Sequence, residues 1–276
     1  MRKYHKLLSI CFIISILMSV FPFTTFASSI DEIEPNDQLS EAQSIGSWSE
    51  YKTVWGSVYD NWDLDTYKFS AYQGDRLAIR LNGIDSGNNF DLLVLNSNFE
   101  EVGFSGRIEN ASEIVRIDVP VNGDYYIRVV PITMNGITND VYYINFYNRF
   151  KSSSYTASLS PTSISSPGAG TSSAIASVNL TNNTSIPNGA TVKRVEAQGT
   201  ISPSLGNTFR QVRNAVENEW HTSNQGGGSF QDITTDDLLP VKTIWEVKYY
   251  SLAYSRSTWS YPKLYITYEY DQTLNW

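Results

Sequence analysis

The sequence predicts an all-β protein of two domains, and three observations support this. Short segments alternate between apolar and polar residues, as strands with one buried face do. Gly, Asn and Asp separate these segments where turns between strands are expected. Between residues 151 and 171 the alternation disappears, and Ser, Thr, Pro and Gly dominate. We therefore expect domains at residues 28–150 and 172–276, joined by a flexible Ser/Thr/Pro/Gly-rich linker at 151–171. The alternative, one long loop inside a single domain, is uncommon in compact proteins.

Residues 1–27 have the layout of a secretory signal peptide. A basic start precedes an apolar run from Leu7 to Phe23, and small residues lead to a cleavage point after Ala27. The apolar run is slightly short for a membrane span, so a retained anchor is the less favoured alternative. We expect a secreted, extracellular protein with no membrane span after signal cleavage.

Composition excludes several classes of function. The single cysteine, Cys11, lies in the predicted signal, so the remaining chain has no residue for thiol catalysis, disulfides or thiolate metal sites. The signal also holds three of the twenty Lys and Arg residues and none of the twenty-eight acidic ones, so its removal takes the net charge from −8 to −11. A chain this acidic is a poor partner for nucleic acid. Most of the acidic residues are expected to serve solubility.

The N-terminal domain is predicted to be a sandwich or barrel of short strands. Its alternating or apolar segments are residues 53–58, 67–71, 76–81, 90–95, 114–119, 125–130 and 141–147. The second domain shows the same pattern at residues 174–180, 191–200, 242–253 and 263–270, which predicts a second sandwich. Residues 209–220 fit a helix or a strand, because Val212, Val216 and Trp220 share a face in either. The surrounding β pattern favours strand.

An acidic segment follows the predicted signal directly. Glu32, Glu34, Asn36 and Asp37 place four oxygen-bearing side chains within six residues. In an extended backbone the first three point to one side, and Pro35 favours that backbone because it disfavours helix at the preceding residue. Calcium binds about six to eight oxygens from such groups. The segment is therefore a candidate calcium site.

A second acidic turn could complete the site. Asp60 and Asp63 precede a predicted strand, and Asp65 at its start is a third candidate. The spacing is not that of an EF-hand, whose required Asp, Gly and Glu positions are absent. The alternative interpretation is an ordinary solvated acidic loop, which is common on soluble proteins.

Several motifs in order resemble the bacterial pre-peptidase C-terminal domain, a family that includes the collagen-binding modules of clostridial collagenases. The resemblance covers residues 31–148. Its motifs are Glu34-Pro35-Asn36-Asp37, Gly56-Ser57-Val58, Asp63-Leu64-Asp65-Thr66-Tyr67-Lys68-Phe69, Gly74-Asp75-Arg76-Leu77, Phe90-Asp91-Leu92-Leu93-Val94-Leu95 and Gly123-Asp124-Tyr125-Tyr126-Ile127-Arg128-Val129.

The resemblance implies a jelly-roll-like β-sandwich and, as in the calcium-binding members, an ion site. In this chain, the resemblance implies that the calcium ligands are Glu32, Glu34, Asn36, Asp37, Asp60 and Asp63. Asp65, next to the strand, could instead be structural. The family module usually accompanies a secreted peptidase. This chain departs from that setting, because no peptidase domain is visible on either side of the module.

The sequence offers little for catalysis. His221 is the one histidine after the signal, in a polar context without a Gly-x-Ser-x-Gly nucleophile motif, so we expect a surface or strand-end histidine rather than a general base. A glycosidase with two carboxylates stays open, because nothing singles out a pair. The acidic residues available for it are Glu196, Glu217, Glu219 and Glu246.

Aromatic residues crowd the C-terminus, and most are expected to fill the core. Trp259 and Tyr261, in a predicted loop, and Tyr265, on the polar face of a strand, are the candidates for an exposed ligand-binding surface. The sequence thus favours a non-catalytic, calcium-binding module for an extracellular polymer or protein, with collagen-like, polysaccharide or cell-wall partners. The alternatives are a hydrolase, or an accessory to one, in the C-terminal domain and a structural component of a matrix or coat.

Overall fold

The structure, a computed structural model, describes residues 29–50, 52–135, 139–204, 207–274 and 276. The predicted signal peptide lies outside the described residues and stays a prediction. The all-β prediction is confirmed, because eighteen strands and two three-residue 3-10 helices make up the regular structure of the described residues. Across this part of the chain, no helix combines the length and the hydropathy needed to cross a bilayer.

The chain divides into two compact units between Tyr147 and Asn148. The strands of the N-terminal unit are β1 (Ser29–Asp31), β2 (Gln43–Ser47), β3 (Thr53–Val58), β4 (Asp65–Ala71), β5 (Arg76–Asn82), β6 (Asn89–Leu95), β7 (Glu101–Ser105), β8 (Glu113–Asp118), β9 (Gly123–Thr133) and β10 (Asp140–Asn148). They form two five-stranded sheets, ordered β1-β3-β10-β5-β8 and β2-β4-β9-β6-β7. The pairs β1–β3 and β2–β4 are parallel.

Alternating side chains from both sheets fill the core of the N-terminal unit. On β4, Tyr67 and Phe69 are buried while Lys68 between them is half-exposed, and β10 buries Tyr142 and Ile144 in the same way. This period of two is the pattern that the sequence shows, because successive strand residues point to opposite faces. The inward face of β4 therefore extends back to its first residue, Asp65, which is fully buried.

The C-terminal unit is also built from two sheets. Its strands are β11 (Phe150–Ser158), β12 (Ser163–Ser166), β13 (Ala176–Asn179), β14 (Thr191–Ser202), β15 (Thr208–Asn214), β16 (Trp220–Thr222), β17 (Ile244–Ser251) and β18 (Ser257–Asp271). The long strand β18 pairs with β11, β12 and β14, and the other sheet has the order β13-β17-β15-β16. The ambiguous segment at 209–220 is therefore strand, interrupted by a turn in which Val216 is exposed.

The predicted linker at residues 151–171 is wrong. Strand β11 pairs with β18 along its whole length, from Phe150 opposite Asp271 to Ser158 opposite Lys263, and β12 pairs with the start of β18. The apolar alternation is missing because β11 is a mostly exposed strand, in which Ala157 is the one fully buried side chain. Its stability comes from backbone hydrogen bonds to β18, which Ser and Thr can make as well as apolar residues.

Candidate metal centre

The acidic segment lies beside the first sheet because it continues the pairing of β1. The backbone N–H of Glu32 donates to the carbonyl of Trp55 at 2.8 Å, one step beyond the last β1–β3 pair. This places the Glu32 carboxylate against β3, where its Oε2 accepts a hydrogen bond from the Ser57 N–H at 2.8 Å. The segment after Glu32 then turns towards β4, and the Thr66 N–H donates to the carbonyl of Asn36 at 3.2 Å.

Two tyrosines from opposite sheets connect two carboxylates below this segment. The Tyr67 hydroxyl lies 2.5 Å from Glu32 Oε1, the Tyr67 and Tyr142 hydroxyls lie 2.7 Å apart, and the Tyr142 hydroxyl lies 2.6 Å from Asp65 Oδ2. Three short contacts need three protons, but two hydroxyls supply two. Burial, followed by the nearby Glu32 charge, raises the pKa of Asp65 to about 9, so without a cation a proton on Asp65 supplies the third.

Gly56 leaves the room that this network occupies. A Cβ at Gly56 would lie 2.5 Å from the Tyr67 hydroxyl oxygen and still closer to that of Tyr142. No side chain fits at that distance without displacing one of the rings. The close approach of the two tyrosine hydroxyls to the backbone of Gly56 thus explains the glycine of the Gly-Ser-Val motif.

Three buried side-chain oxygens here have no hydrogen-bond partner among the described residues. They are Asn36 Oδ1, Asp65 Oδ1 and Thr66 Oγ1, and all three residues are 0% exposed. The first two belong to groups that also bond to the network or to Glu32. The other atoms of these groups are engaged, since Asn36 Nδ2 donates to Glu32 Oε1 at 2.9 Å. A buried acceptor left unpaired costs about 1–3 kcal/mol. Oxygens of this kind are what a bound cation would satisfy.

Carboxylates converge on the same place in two overlapping groups. Oxygens of Glu32, Glu34 and Asp65 lie within 4.8 Å of one another, and so do oxygens of Glu34, Asp37 and Asp63. Glu34 belongs to both groups. Burial and then the neighbouring carboxylates raise the pKa of Glu34 and of Asp63, against one backbone hydrogen bond to each. The site therefore concentrates negative charge, and the Arg128 guanidinium beside it donates to the backbone carbonyl of Asp37 at 2.9 Å.

The structure brings together most of the predicted ligands. It differs from the prediction at two aspartates, since Asp65 lies in a carboxylate group and Asp60 does not. Asp60 lies outside both groups, because its Oδ1 accepts a hydrogen bond from the Trp62 N–H at 2.7 Å within its own turn. Asp65, which the sequence left as a candidate or a structural residue, lies inside one group. Asp37 and Asp63 are in the site and also accept backbone hydrogen bonds, from Leu64 at 3.1 Å and Tyr59 at 2.7 Å.

Part of the N-terminal unit matches a known domain family. Residues 63–131 match the bacterial pre-peptidase C-terminal domain. The match confirms the resemblance for that stretch, from the acidic turn through most of β9. It begins after the acidic segment at 32–37 and ends before β10, which carries Tyr142.

Two individual proteins are also similar to this chain. The uncharacterized protein YbdN of Bacillus subtilis (strain 168) is 28% identical, with 93% of this chain and 94% of YbdN covered. A crystal structure of the pre-peptidase C-terminal domain of collagenase from Bacillus anthracis is 18% identical. The comparison covers 42% of this chain and 100% of that domain, with a TM-score of 0.33.

Outside the part that matches the pre-peptidase C-terminal domain, one predicted aromatic ligand residue is wrong. Trp259 is 0% exposed and lies in β18 rather than in a loop. Its ring meets Tyr249 edge-on at 5.8 Å, and its indole N–H donates to the Gln198 carbonyl at 3.1 Å. Tyr261 is exposed, and Tyr265 is half-buried on the same strand. These two stay candidates for ligand contact.

His221 is also less exposed than predicted. It is 7% exposed in β16, and carboxylates bind both of its ring nitrogens. Nε2 lies 2.9 Å from Glu217 and Nδ1 lies 2.8 Å from Asp232. Burial lowers the pKa of His221, but the hydrogen bonds and charges of the two carboxylates outweigh it, so the pKa is raised. The group is a structural contact that includes a cation when the imidazole is protonated.

Proposed function

We propose that this protein is an extracellular, non-catalytic calcium-binding protein that attaches to a polymer or protein outside the cell. One observation carries the calcium proposal. Asn36 Oδ1 and Asp65 Oδ1 are fully buried, lack a partner among the described residues and lie among converging carboxylates. A cation at this place would satisfy both oxygens and offset the concentrated charge.

The donor set favours calcium over other metals. The proposed ligands are Glu32, Glu34, Asn36, Asp37, Asp63 and Asp65. All six offer oxygen, and calcium accepts about six to eight oxygens in a flexible arrangement, whereas zinc prefers nitrogen and sulfur ligands. The role of the ion would be structural, because its ligands come from the 32–37 segment, the acidic turn and β4. Calcium would join these parts of the N-terminal unit and so stabilise its fold.

Calorimetry and thermal melting test the calcium site. We expect the purified chain to bind calcium and to melt at a higher temperature with calcium than with chelator. Glu34→Gln should weaken binding, because Glu34 contributes to both carboxylate groups. Glu41→Gln is the matched control, since Glu41 is exposed and belongs to neither group. Absence of binding heat together with an unchanged melting temperature would contradict the proposal.

Three features support an extracellular location and a binding role. They are the predicted signal peptide, the acidic and cysteine-free composition after it, and the match to a domain family whose members occur in secreted peptidases. Collagen-like proteins, polysaccharides and cell-wall material are the candidate partners. A pull-down against each of these, with calcium and with chelator, tests the binding role. Turnover of any of them would contradict the non-catalytic assignment.

A further inference from the structure

A cavity of about 490 Å3 opens in the N-terminal unit and shares no residue with the metal centre. Its walls are the loop from β5 to β6, the loop from β7 to β8, and the residues that follow β9. This volume is in the range of small-molecule sites. The cavity therefore needs its own explanation.

Buried hydrogen bonds hold two of these walls together. Asn88 is 0% exposed; its Oδ1 accepts a hydrogen bond from the Asn135 N–H at 3.0 Å, and its Nδ2 donates to Asp140 Oδ2 at 2.7 Å. The Asp140 carboxylate, itself buried, also accepts from the Asp85 N–H at 3.1 Å. These bonds join the β5–β6 loop to the residues after β9. The walls are thus positioned without a ligand.

A second asparagine holds the third wall. With its amide oriented so that the nitrogen faces the carbonyls, Asn89 donates to the carbonyl of Glu109 at 2.7 Å and to that of Arg107 at 2.8 Å. The β7–β8 loop is therefore attached to the first residue of β6. Because these walls are preorganised, little of the free energy of ligand binding would be lost to the ordering of loops.

The side chains that line the cavity define the chemistry of its ligand. The lining is made of amides and hydroxyls, with one carboxylate from Glu109 and one aliphatic side chain from Ile108. The side chains of Asn110 and Asn135 each offer donors and an acceptor on one plane, which suits neighbouring hydroxyls. Ile108 is 80% exposed and can contact the C–H face of a ring. The described lining residues include the Glu109 carboxylate and no Lys or Arg, which disfavours an anionic ligand.

We propose that this cavity binds a neutral carbohydrate, as one sugar unit of an extracellular polysaccharide. The inference rests on the proposed binding function and deepens it by naming the class of ligand and its site. A peptide is less well matched, because peptide recognition uses a free strand edge or an apolar groove. The cavity is instead concave and lined by amides.

Titration calorimetry with soluble oligosaccharides tests the proposal. The probes are neutral glucose, xylose and N-acetylglucosamine oligomers, with a sulfated oligosaccharide and a triple-helical collagen peptide as comparisons. We expect the chain to bind at least one neutral oligomer and to ignore the sulfated one. The double variant Asn110→Ala/Asn135→Ala should bind that oligomer about tenfold more weakly or worse, because it loses two amides.

A matched control separates loss of contact from loss of fold. Asn98→Ala removes an exposed asparagine of the same unit outside the cavity and should leave sugar binding unchanged. Both variants should melt at the temperature of the original chain. The proposal is overturned if no neutral oligomer binds, if the double variant binds as well as the original, or if the collagen peptide alone binds through this cavity.

Repeating the titrations with calcium and with chelator keeps the two proposals distinguishable. Sugar binding that depends on the cavity, in a chain that takes up no calcium, would contradict the calcium site alone. Calcium binding without cavity-dependent sugar binding would overturn the carbohydrate site alone.

Discussion

Each unit of this protein contains a cluster of ionisable side chains around a buried residue, and the two clusters differ in whether they include a cation. In the C-terminal unit, His221 lies between Glu217 and Asp232, so the cluster contains its own cation when the imidazole is protonated. In the N-terminal unit, the groups that bridge Glu32 and Asp65 are the neutral hydroxyls of Tyr67 and Tyr142. The first cluster is complete as it stands. The second has buried oxygens without a partner among the described residues, which is why the calcium proposal concerns that cluster.

The largest effect is expected from Asp65→Asn, which changes the ligand-deficient cluster. An amide can donate to the Tyr142 hydroxyl as a protonated carboxyl does, so in chelator we expect the free energy of unfolding to stay nearly the same. In calcium at one hundredfold above Kd, the original chain should gain about 2.7 kcal/mol, and the variant should lose most of that gain. Thermal melts of both chains in both buffers measure this. Equal calcium responses would contradict the assignment of Asp65 as a ligand.

Gly56→Ala should destabilise the N-terminal unit with or without calcium. The added methyl would overlap the Tyr67 and Tyr142 hydroxyls, and overpacking of this kind costs about 1–3 kcal/mol. Ser57→Ala is the control, because it keeps the backbone N–H that donates to Glu32. Chemical denaturation compares the two variants. If they are equally stable, the network does not need the space that the glycine leaves.

A smaller effect is expected from His221, and it should depend on pH. A pKa raised above 6.5 in the folded state means that the stabilisation is fully present below about pH 6.5 and is lost as pH rises through the raised value. Glu217 and Asp232 are the ionisable groups bonded to the ring, and the residue paired with His221 on β15 is the apolar Val212. His221→Gln should cost about 1 kcal/mol at low pH and less at high pH. A pH-independent difference in unfolding free energy would show that the imidazole is not titrating between these carboxylates.

The smallest effect is expected where charges pair in water. Lys68 Nζ lies 3.5 Å from Asp124 Oδ2, and the two side chains are 35% and 50% exposed. Asp124→Asn should change the unfolding free energy by less than about 0.5 kcal/mol, and added salt should remove the change. Denaturant melts at low and high salt measure it. A larger loss of unfolding free energy that persists in high salt would contradict this. It would mean that a partly exposed charge pair can matter as much as the clusters around Asp65 and His221.

Regular alternation made most of the strands predictable from the sequence. Strands such as β4 and β10 show apolar residues at every second position because one face of each is buried. Strand β11 could not be found in this way, since its mostly exposed Ser and Thr residues leave no apolar period to detect. Strand propensity is also weak evidence without burial.

The position of the carboxylate cluster was predictable from the sequence, but its membership only partly. The local excess of acidic residues locates the acidic segment. The alternation of β4 places Asp65 on the same buried face as Tyr67. This pattern favours Asp65 over Asp60 as a member of the cluster. Tyr142 could not be found, because it reaches Asp65 from 77 positions away through sheet packing. Trp259 was misjudged for a similar reason, since its contact with Tyr249 depends on how the two sheets meet.

The position of β18 has a consequence for the order in which the two units can fold. Both β11, which begins the C-terminal unit, and β14 in its middle take their partners from residues 257–271. The N-terminal unit completes its sheets with β10 at Asn148. A chain synthesised from its N-terminus can therefore close the first unit early. The first strand of the second unit stays unpaired until more than a hundred further residues have emerged, which delays its folding.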